Sequence, residues 1–179
     1  DGTIPTNTSK YLKRGISISL PKWIKENCIQ CGLCTLACPH AAIRSVLIKD
    51  SDNTNPDFET ANAMGMKEHK FRIQLSPEDC TGCGVCAKTC PAIKKALEMV
   101  ETNQILDKEK KNYNHSLSLD KQKSIFNKFT TKGLQFYEPY FEFNYACAGC
   151  GETPYIKALT QLFGDRMIIA NATGCSSIY

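Results

Sequence analysis

The 179-residue sequence has no apolar run long enough to cross a membrane, which excludes a protein built from membrane-spanning helices. It shows no signal peptide and opens on Asp1 rather than Met, so we expect a processed chain or a segment of a longer one. Neither sign of charge is in large excess: 22 Lys and Arg stand against 18 Asp and Glu. We therefore expect neither a nucleic acid nor a membrane surface as a partner.

Histidine is also scarce. The three histidines, His40, His69 and His115, are isolated from one another in the sequence, and none is expected to bind a metal. His40 follows a Cys-Pro pair, where we expect it to pack or to form a hydrogen bond within the turn.

Cysteine, by contrast, is abundant, with eleven residues, eight of which form two copies of the pattern C-x-x-C-x-x-C-x-x-x-C-P. The first ladder consists of Cys28, Cys31, Cys34 and Cys38, and the second of Cys80, Cys83, Cys86 and Cys90. In two-cluster ferredoxins this run binds cubane clusters, and the fourth cysteine of each run ligates the other cluster. The spacing thus predicts one 4Fe–4S cluster on Cys28, Cys31, Cys34 and Cys90, and a second on Cys80, Cys83, Cys86 and Cys38.

Two other uses of cysteine are less compatible with this pattern. Structural zinc sites usually combine two separated C-x-x-C pairs and need no third cysteine at the same interval. Disulfide scaffolds belong to oxidising compartments and are mostly shorter than this chain. Clusters and free thiols require a reducing compartment, and we expect the cytoplasm, or a hydrogenosome-like organelle in an anaerobic eukaryote.

The residues around the ladders predict an α+β fold of the two-cluster bacterial ferredoxin type with pseudo-twofold symmetry. Residues 16–20 and 71–75 alternate apolar and polar side chains and are predicted strands that precede the ladders. The apolar stretch after each ladder is predicted to be a short helix. Residues 50–70 are expected to form an inserted surface loop.

Residues 101–132 are rich in lysine. This stretch is predicted to be a solvated linker with one amphipathic helix around Ile125, Phe126 and Phe129. A lysine face that docks an acidic electron carrier is the alternative interpretation.

The remaining three cysteines, Cys147, Cys150 and Cys175, lie in a different kind of segment. A helix is predicted with Thr153 as its N-cap, Pro154 at its first position and Gly164 at its end. A buried strand over residues 166–172 and a polar loop that carries Cys175 are predicted to follow. These cysteines can converge on a third cluster, which needs a fourth ligand from outside the chain. About forty residues cannot form a core of their own, so we expect the truncated start of a larger α/β domain.

Two motifs in this C-terminal part, FEFNYACAGCGETPY (residues 141–155) and GDRMIIANATGCSS (residues 164–177), resemble pyruvate:ferredoxin (or flavodoxin) oxidoreductase. The resemblance begins at DGTIPT (residues 1–6) and KRG (residues 13–15) and runs along the chain. It implies a lead-in (1–18), a first 4Fe–4S repeat (19–48), an insertion (49–70), a second repeat (71–102), a linker (103–135) and the start of a thiamine diphosphate domain (136–179).

The resemblance also implies an activity, cofactors and partners. The family oxidises pyruvate with coenzyme A to acetyl-CoA and carbon dioxide, and passes the electrons through three 4Fe–4S clusters to ferredoxin or flavodoxin. It implies thiamine diphosphate with Mg²⁺, with Glu152 and Cys175 among the thiamine contacts, and a homodimer. Catalytic residues are expected outside the chain. A free ferredoxin-like carrier, a related 2-oxoacid oxidoreductase and a fusion that reduces NADP remain alternatives.

Overall fold

The computed structural model describes residue 3, residues 5–120 and residues 126–179. Helices and strands occur together, as predicted for an α+β fold. The strands are β1 (Ser19–Trp23), β2 (Ile43–Lys49), β3 (Ala61–Asn62), β4 (His69–Leu75) and β5 (Leu97–Glu101). The helices are α1 (Leu33–Ala37), α2 (Val85–Thr89), α3 (Thr102–Ser118), α4 (Thr131–Leu134) and α5 (Thr153–Phe163). No helix in the described residues is both long and apolar enough to cross a membrane.

The strands form two small antiparallel sheets. β1 pairs with β5 from Ser19 opposite Glu101 to Trp23 opposite Leu97. β4 is central in the other sheet, where β2 and β3 flank it. Each ladder therefore lies between strands of different sheets: α1 is between β1 and β2 in the chain, and α2 is between β4 and β5.

The core is formed where these elements meet. Ile43, Phe71, Ile73 and Leu97 are 1–3% exposed and pack together with the buried Cys86. Trp23 and the partly buried cysteines Cys28, Cys34 and Cys38 pack against the same cluster. The cysteines thus belong to the interior of the fold, and the apolar residues around them position their sulfur atoms.

The two predicted strands before the ladders have different outcomes. Residues 71–75 lie inside β4, as predicted. The prediction for residues 16–20 is wrong in position, because the strand begins at Ser19 and continues to Trp23. Its extent is limited by β5, and Ile16 and Ile18 are 58% and 89% exposed. Pro21 is tolerated because β1 is an edge strand, where a missing N–H need not break a ladder.

The predicted short helix after each ladder is wrong. The helices lie inside the ladders: α1 contains Cys34 and ends before Cys38, and α2 contains Cys86 and ends before Cys90. The apolar stretches that follow form β2 and β5, because partner strands are available on both sides of the core.

Three further expectations need correction. The insertion 50–70 is not simply a surface loop, because β3 pairs with β4 and Phe58 is buried.

The helix of the lysine-rich region is α3, which ends at Ser118. Phe126 and Phe129 lie outside a helix, and Ile125 lies outside the described residues. Residues 166–172 form no strand, and Ile168 is fully exposed at 98%. A strand needs a neighbour for its backbone groups, and no described strand lies beside this stretch.

Candidate metal centres in two cysteine cavities

The eight ladder cysteines separate into two cavities. The first cysteine cavity is lined by Cys28, Cys31, Cys34 and Cys90. The second cysteine cavity is lined by Cys38, Cys80, Cys83 and Cys86. Each cavity therefore takes three cysteines from one ladder and the fourth from the other, which is the distribution that the spacing predicts.

The local backbone explains how three cysteines of one ladder face one cavity. Gly32 and Gly84 adopt positive φ angles of 78° and 73° just before α1 and α2, a conformation that glycine reaches at little cost. The chain can then turn sharply between the second and third cysteines of each ladder. In the second ladder, the backbone N–H of Gly82 also donates to the Cys80 sulfur over 3.4 Å.

Electrostatic interactions among the thiols largely follow the same grouping, with Cys34 acting on Cys86 across the two cavities. Burial is the main cause that raises the pKa of Cys34 to about 12, with Cys28, Cys31 and Cys90 as further causes. Burial likewise raises the pKa of Cys80 to about 12, with added effects of Cys38 and Cys83. Burial is also the main cause that raises the pKa of Cys86. Buried thiolates repel one another, and binding to a metal offsets this cost.

Buried polar atoms give an independent test of the fit. Trp23 Nε1, Thr81 Oγ1 and His40 Nε2 are buried without a standard hydrogen-bond partner among the described groups. Trp23 lines the first cavity, whereas Thr81 and His40 line the second. Such groups usually have partners, and the sulfur atoms of a cluster are acceptors that N–H and O–H groups can use. The residues present therefore fit a 4Fe–4S cluster in each cavity.

The turn that carries Cys147 and Cys150 lies beside the second cavity. The Cys147–Cys150 turn closes with a hydrogen bond from Cys150 N to Cys147 O at 3.0 Å. A Cβ atom placed on Gly149 of this turn would lie 3.8 Å from Cys83 Cβ. His40, which is buried as expected, lies at this junction: its Nδ1 is 3.2 Å from Asn144 O, and the backbone of Cys147 is a further neighbour.

The start of α5 faces Cys150. The backbone N–H groups of Thr153 and Glu152 lower the pKa of the Cys150 thiol, since they stabilise its anion. The Tyr179 hydroxyl lies near Glu152, Cys150 and Cys175; desolvation and then the Glu152 carboxylate raise its pKa to about 12. Cys147 and Cys175 are exposed. The structure thus brings Cys150, Cys175 and Glu152 into one neighbourhood.

The predicted helix is confirmed as α5, with Pro154 in its first turn and Gly164 at its end. Its N-cap is Glu152 rather than Thr153, which is the first helical residue. The residues that face the interior are unexpected, because Thr153, Lys157, Thr160 and Gln161 are buried. Their spacing at positions 1, 5, 8 and 9 of the helix is the sequence signal that could have identified Lys157.

Four lysines of the alternative docking face are engaged within the chain, whereas Lys121 and Lys123 lie outside the described residues. Lys108 pairs with Glu59 at 2.7 Å and Lys110 with Glu78 at 2.9 Å. Lys128 and Lys132 donate to the carbonyls of Leu162 and Met64. These contacts stabilise the surface of the chain itself.

Comparisons with known proteins agree with the geometry. Two family models described as 4Fe-4S dicluster domain match residues 27–93 and 72–117. The chain is 56% identical over its full length to the pyruvate:ferredoxin oxidoreductase of Moorella thermoacetica and 50% identical to the pyruvate-flavodoxin oxidoreductase of Enterobacter agglomerans. It spans 16% and 15% of their lengths. It is also 46% identical, over 99% of its length, to 10% of the mitochondrial pyruvate dehydrogenase [NADP(+)] of Euglena gracilis.

Proposed function

Because this chain is homologous over its full length to a segment of the pyruvate:ferredoxin and pyruvate-flavodoxin oxidoreductases, we propose that it is the electron-relay segment of a pyruvate-oxidising enzyme. The observation that carries the proposal is the exchange of the fourth cysteine between the two cavities. That exchange is characteristic of proteins that hold two 4Fe–4S clusters close together.

In this proposal, Cys28, Cys31, Cys34 and Cys90 bind one cluster, and Cys38, Cys80, Cys83 and Cys86 bind the other. A pseudo-twofold axis relates the two repeats, which is supported by the equal lengths and equivalent glycine starts of α1 and α2. The segment boundaries implied by the family resemblance are part of the same proposal.

A third cluster is proposed at the C-terminal cysteines. Cys147, Cys150 and Cys175 provide three ligands, and the fourth comes from a part of the protein outside this chain. Glu152 and Cys175 contact thiamine diphosphate, which is bound with Mg²⁺ by a domain that begins near residue 136. The free N–H groups at the start of α5 favour negative charge at Cys150 and support a cluster at this position.

The whole enzyme converts pyruvate and coenzyme A to acetyl-CoA and carbon dioxide, and releases two electrons and one proton. Thiamine diphosphate supplies the decarboxylation chemistry when bound, and 4Fe–4S clusters accept one electron at a time. The residues of this chain hold the cofactors at fixed separations. The packing of Gly149 near Cys83 supports an order from the third site through the second cavity to the first.

Ferredoxin or flavodoxin is the proposed electron acceptor, in a homodimeric enzyme of the cytoplasm or of an anaerobic organelle. A second candidate acceptor is NADP. The similarity to the Euglena gracilis protein named pyruvate dehydrogenase [NADP(+)] favours this acceptor. The relay segment performs the same role in both cases.

The proposal is tested with Cys83→Ala in the full-length enzyme, purified without oxygen. Cys83 lines the second cavity on the side of the Cys147–Cys150 turn, so its loss should interrupt the relay. We expect pyruvate-dependent release of carbon dioxide with an artificial acceptor to persist, whereas ferredoxin reduction falls at least tenfold. Unchanged ferredoxin reduction, or fewer than about eight iron atoms in these two cavities of the wild-type protein, would contradict the relay.

A further inference from the structure

A buried lysine joins the C-terminal segment to the first ladder. Lys157 of α5 is only 2% exposed. Its Nζ donates to the backbone carbonyls of Leu36 at 3.0 Å and Cys38 at 3.1 Å, and to that of Thr35. The three carbonyls belong to the last turn of α1 and to Cys38, the residue that follows this helix. A side chain of one segment thus fixes the backbone that carries cysteines of both cavities.

The contacts of Lys157 define its charge. An ammonium group has three N–H donors and a neutral amine has two, so three carbonyl acceptors match the charged form. In the described part of the chain, no carboxylate forms an ion pair with Lys157. The neighbouring Arg44, in contrast, pairs with Glu142 and Glu138. The hydrogen-bond partners of the Lys157 ammonium group are therefore carbonyl dipoles, and negative charge on Cys38 and, less strongly, on Cys34 also favours its charged form.

A fixed charge in this position acts on whatever charge lies beside Cys38. Electrostatic interactions are stronger in the protein interior than in water, because the effective dielectric constant is lower. Reduction of a 4Fe–4S cluster adds one negative charge, and nearby charge is among the factors that set cluster potentials. Lys157 contacts the Cys38 residue directly, whereas it has no direct contact with Cys34 or with the other ligands of the first cavity.

We propose that Lys157 is a positioning residue that holds the Cys38 peptide in place and raises the reduction potential of the cluster in the second cysteine cavity. This inference rests on the proposed function, because it requires a cluster in that cavity. The same helix begins beside Cys150 and reaches Cys38 within about one turn, at Lys157. Its charge therefore favours the arrival of an electron at the second cavity from the third site.

The test is an EPR-monitored redox titration of the full-length enzyme, loaded with its clusters and purified without oxygen. Signals are first assigned to the two cavities with Cys31→Ser and Cys80→Ser. Lys157→Met removes the charge and keeps most of the side-chain volume, and Lys157→Arg keeps the charge. Lys128→Met is the matched control, because Lys128 donates to the α5 carbonyl of Leu162 at 3.2 Å and touches neither cavity.

We expect Lys157→Met to reduce the one-electron equilibrium constant of the second-cavity cluster about tenfold, a shift of about 59 mV to lower potential. The first-cavity cluster should shift less, and Lys157→Arg and Lys128→Met should leave both potentials close to the wild type. The inference about Lys157 is overturned if the second-cavity potential is unchanged in iron-replete Lys157→Met, or if Lys128→Met lowers it equally. Neither result contradicts the proposed function.

Iron analysis precedes each titration. If Lys157→Met loses iron, Lys157→Gln replaces it, since the amide keeps two donors without the charge. Loss of iron from Lys157→Gln as well would show that the residue acts only through structure, and would overturn the electrostatic role. A wild-type enzyme without cluster signals would instead contradict the proposed function, so the two failures can be distinguished.

Discussion

At the scale of single residues, Trp23 has the clearest role toward a cluster. Its indole Nε1 is buried without a standard partner, and its ring packs against Phe71 with centroids 6.3 Å apart. The indole is the largest factor that lowers the pKa of the Cys28 thiol, against the larger effect of burial, which raises it. An N–H group that stabilises anionic sulfur also stabilises the reduced, more negative state of a cluster.

Trp23→Phe removes this N–H group and keeps an aromatic ring in the core. We expect the potential of the first-cavity cluster to fall by up to about 59 mV, a factor of ten in the one-electron equilibrium constant. The second-cavity cluster in the same sample is the internal control for general loosening of the fold. Equal shifts of both clusters in a redox titration would disprove the specific contact.

At the scale of the secondary-structure elements, α3 is attached through a polar face. Arg72 of β4 is 3% exposed and pairs with Glu109 of α3 at 3.0 Å. The Arg72 side chain also donates to Gln74 and to the Glu59 carbonyl. Asn112 and Ser116, further along α3, are buried as well. An apolar stripe is therefore not needed to attach this helix.

Glu109→Ala should destabilise the protein by about 3 kcal/mol, because it leaves the Arg72 charge buried without its carboxylate. Glu78→Ala is the matched control: Glu78 pairs with Lys110 at 2.9 Å, but the Lys110 and Glu78 side chains are 42% and 32% exposed. Such a surface pair contributes about 0–1 kcal/mol. Urea midpoints measured without oxygen give the comparison, and similar midpoints for the two variants would refute the importance of the buried pair.

α5 has the reverse arrangement of a typical amphipathic helix. Its polar residue Lys157 faces the first ladder, and Gln161 donates to the carbonyls of Leu134, at the end of α4, and Tyr137 at 3.2 and 2.7 Å. Tyr155 and Leu159 on the other face are 75% and 47% exposed. Lys157 and the Gln161 amide nitrogen have hydrogen-bond partners, whereas Thr153 Oγ1 and Gln161 Oε1 are buried without a standard partner among the described residues. In a longer protein the apolar face is available for further packing.

At the scale of the whole molecule, the ladder region is well packed while the end of the chain is open. Ile168, Ile169 and Ile178 are 98%, 70% and 76% exposed. The matched segment forms only 16% and 15% of the lengths of the Moorella and Enterobacter relatives. Our proposal of a larger domain gives these residues a place to be buried, and it also gives Cys175 its neighbours.

Cys175→Ala in the full-length enzyme should therefore remove the third cluster and leave the two ladder clusters intact. Iron content should fall by about four atoms, the content of one cubane. Ser176→Ala, which changes the exposed next residue, is the control and should keep the full iron content. An unaltered set of three cluster signals in the EPR spectrum of Cys175→Ala would exclude this cysteine as a ligand.

The sequence alone determined the features that depend on local spacing. The ladders predicted which four cysteines line each cavity, because three-residue intervals and a fourth distant cysteine limit how the chain can wrap around a cube. The alternation at residues 71–75 identified β4, and Pro154 and Gly164 identified α5. Each ladder, the strand alternation and the helix ends are short local motifs, although each cavity combines cysteines of both ladders.

Only the tertiary structure decided which apolar stretches became strands, which face of α5 turned inward and where α3 lay. β2 and β5 are strands because distant partners pair with them, although their sequences are short and apolar. Lys157 is buried because carbonyls at the end of α1 satisfy its donors. Arg72 is buried because Glu109 of α3 and the Glu59 carbonyl, which are outside β4, satisfy its donors together with the nearby Gln74. Residues 166–172, in turn, have no such partner strand in the described chain and remain irregular and mostly exposed. Pairing and burial depend on groups far apart in the sequence, and a local pattern does not encode them.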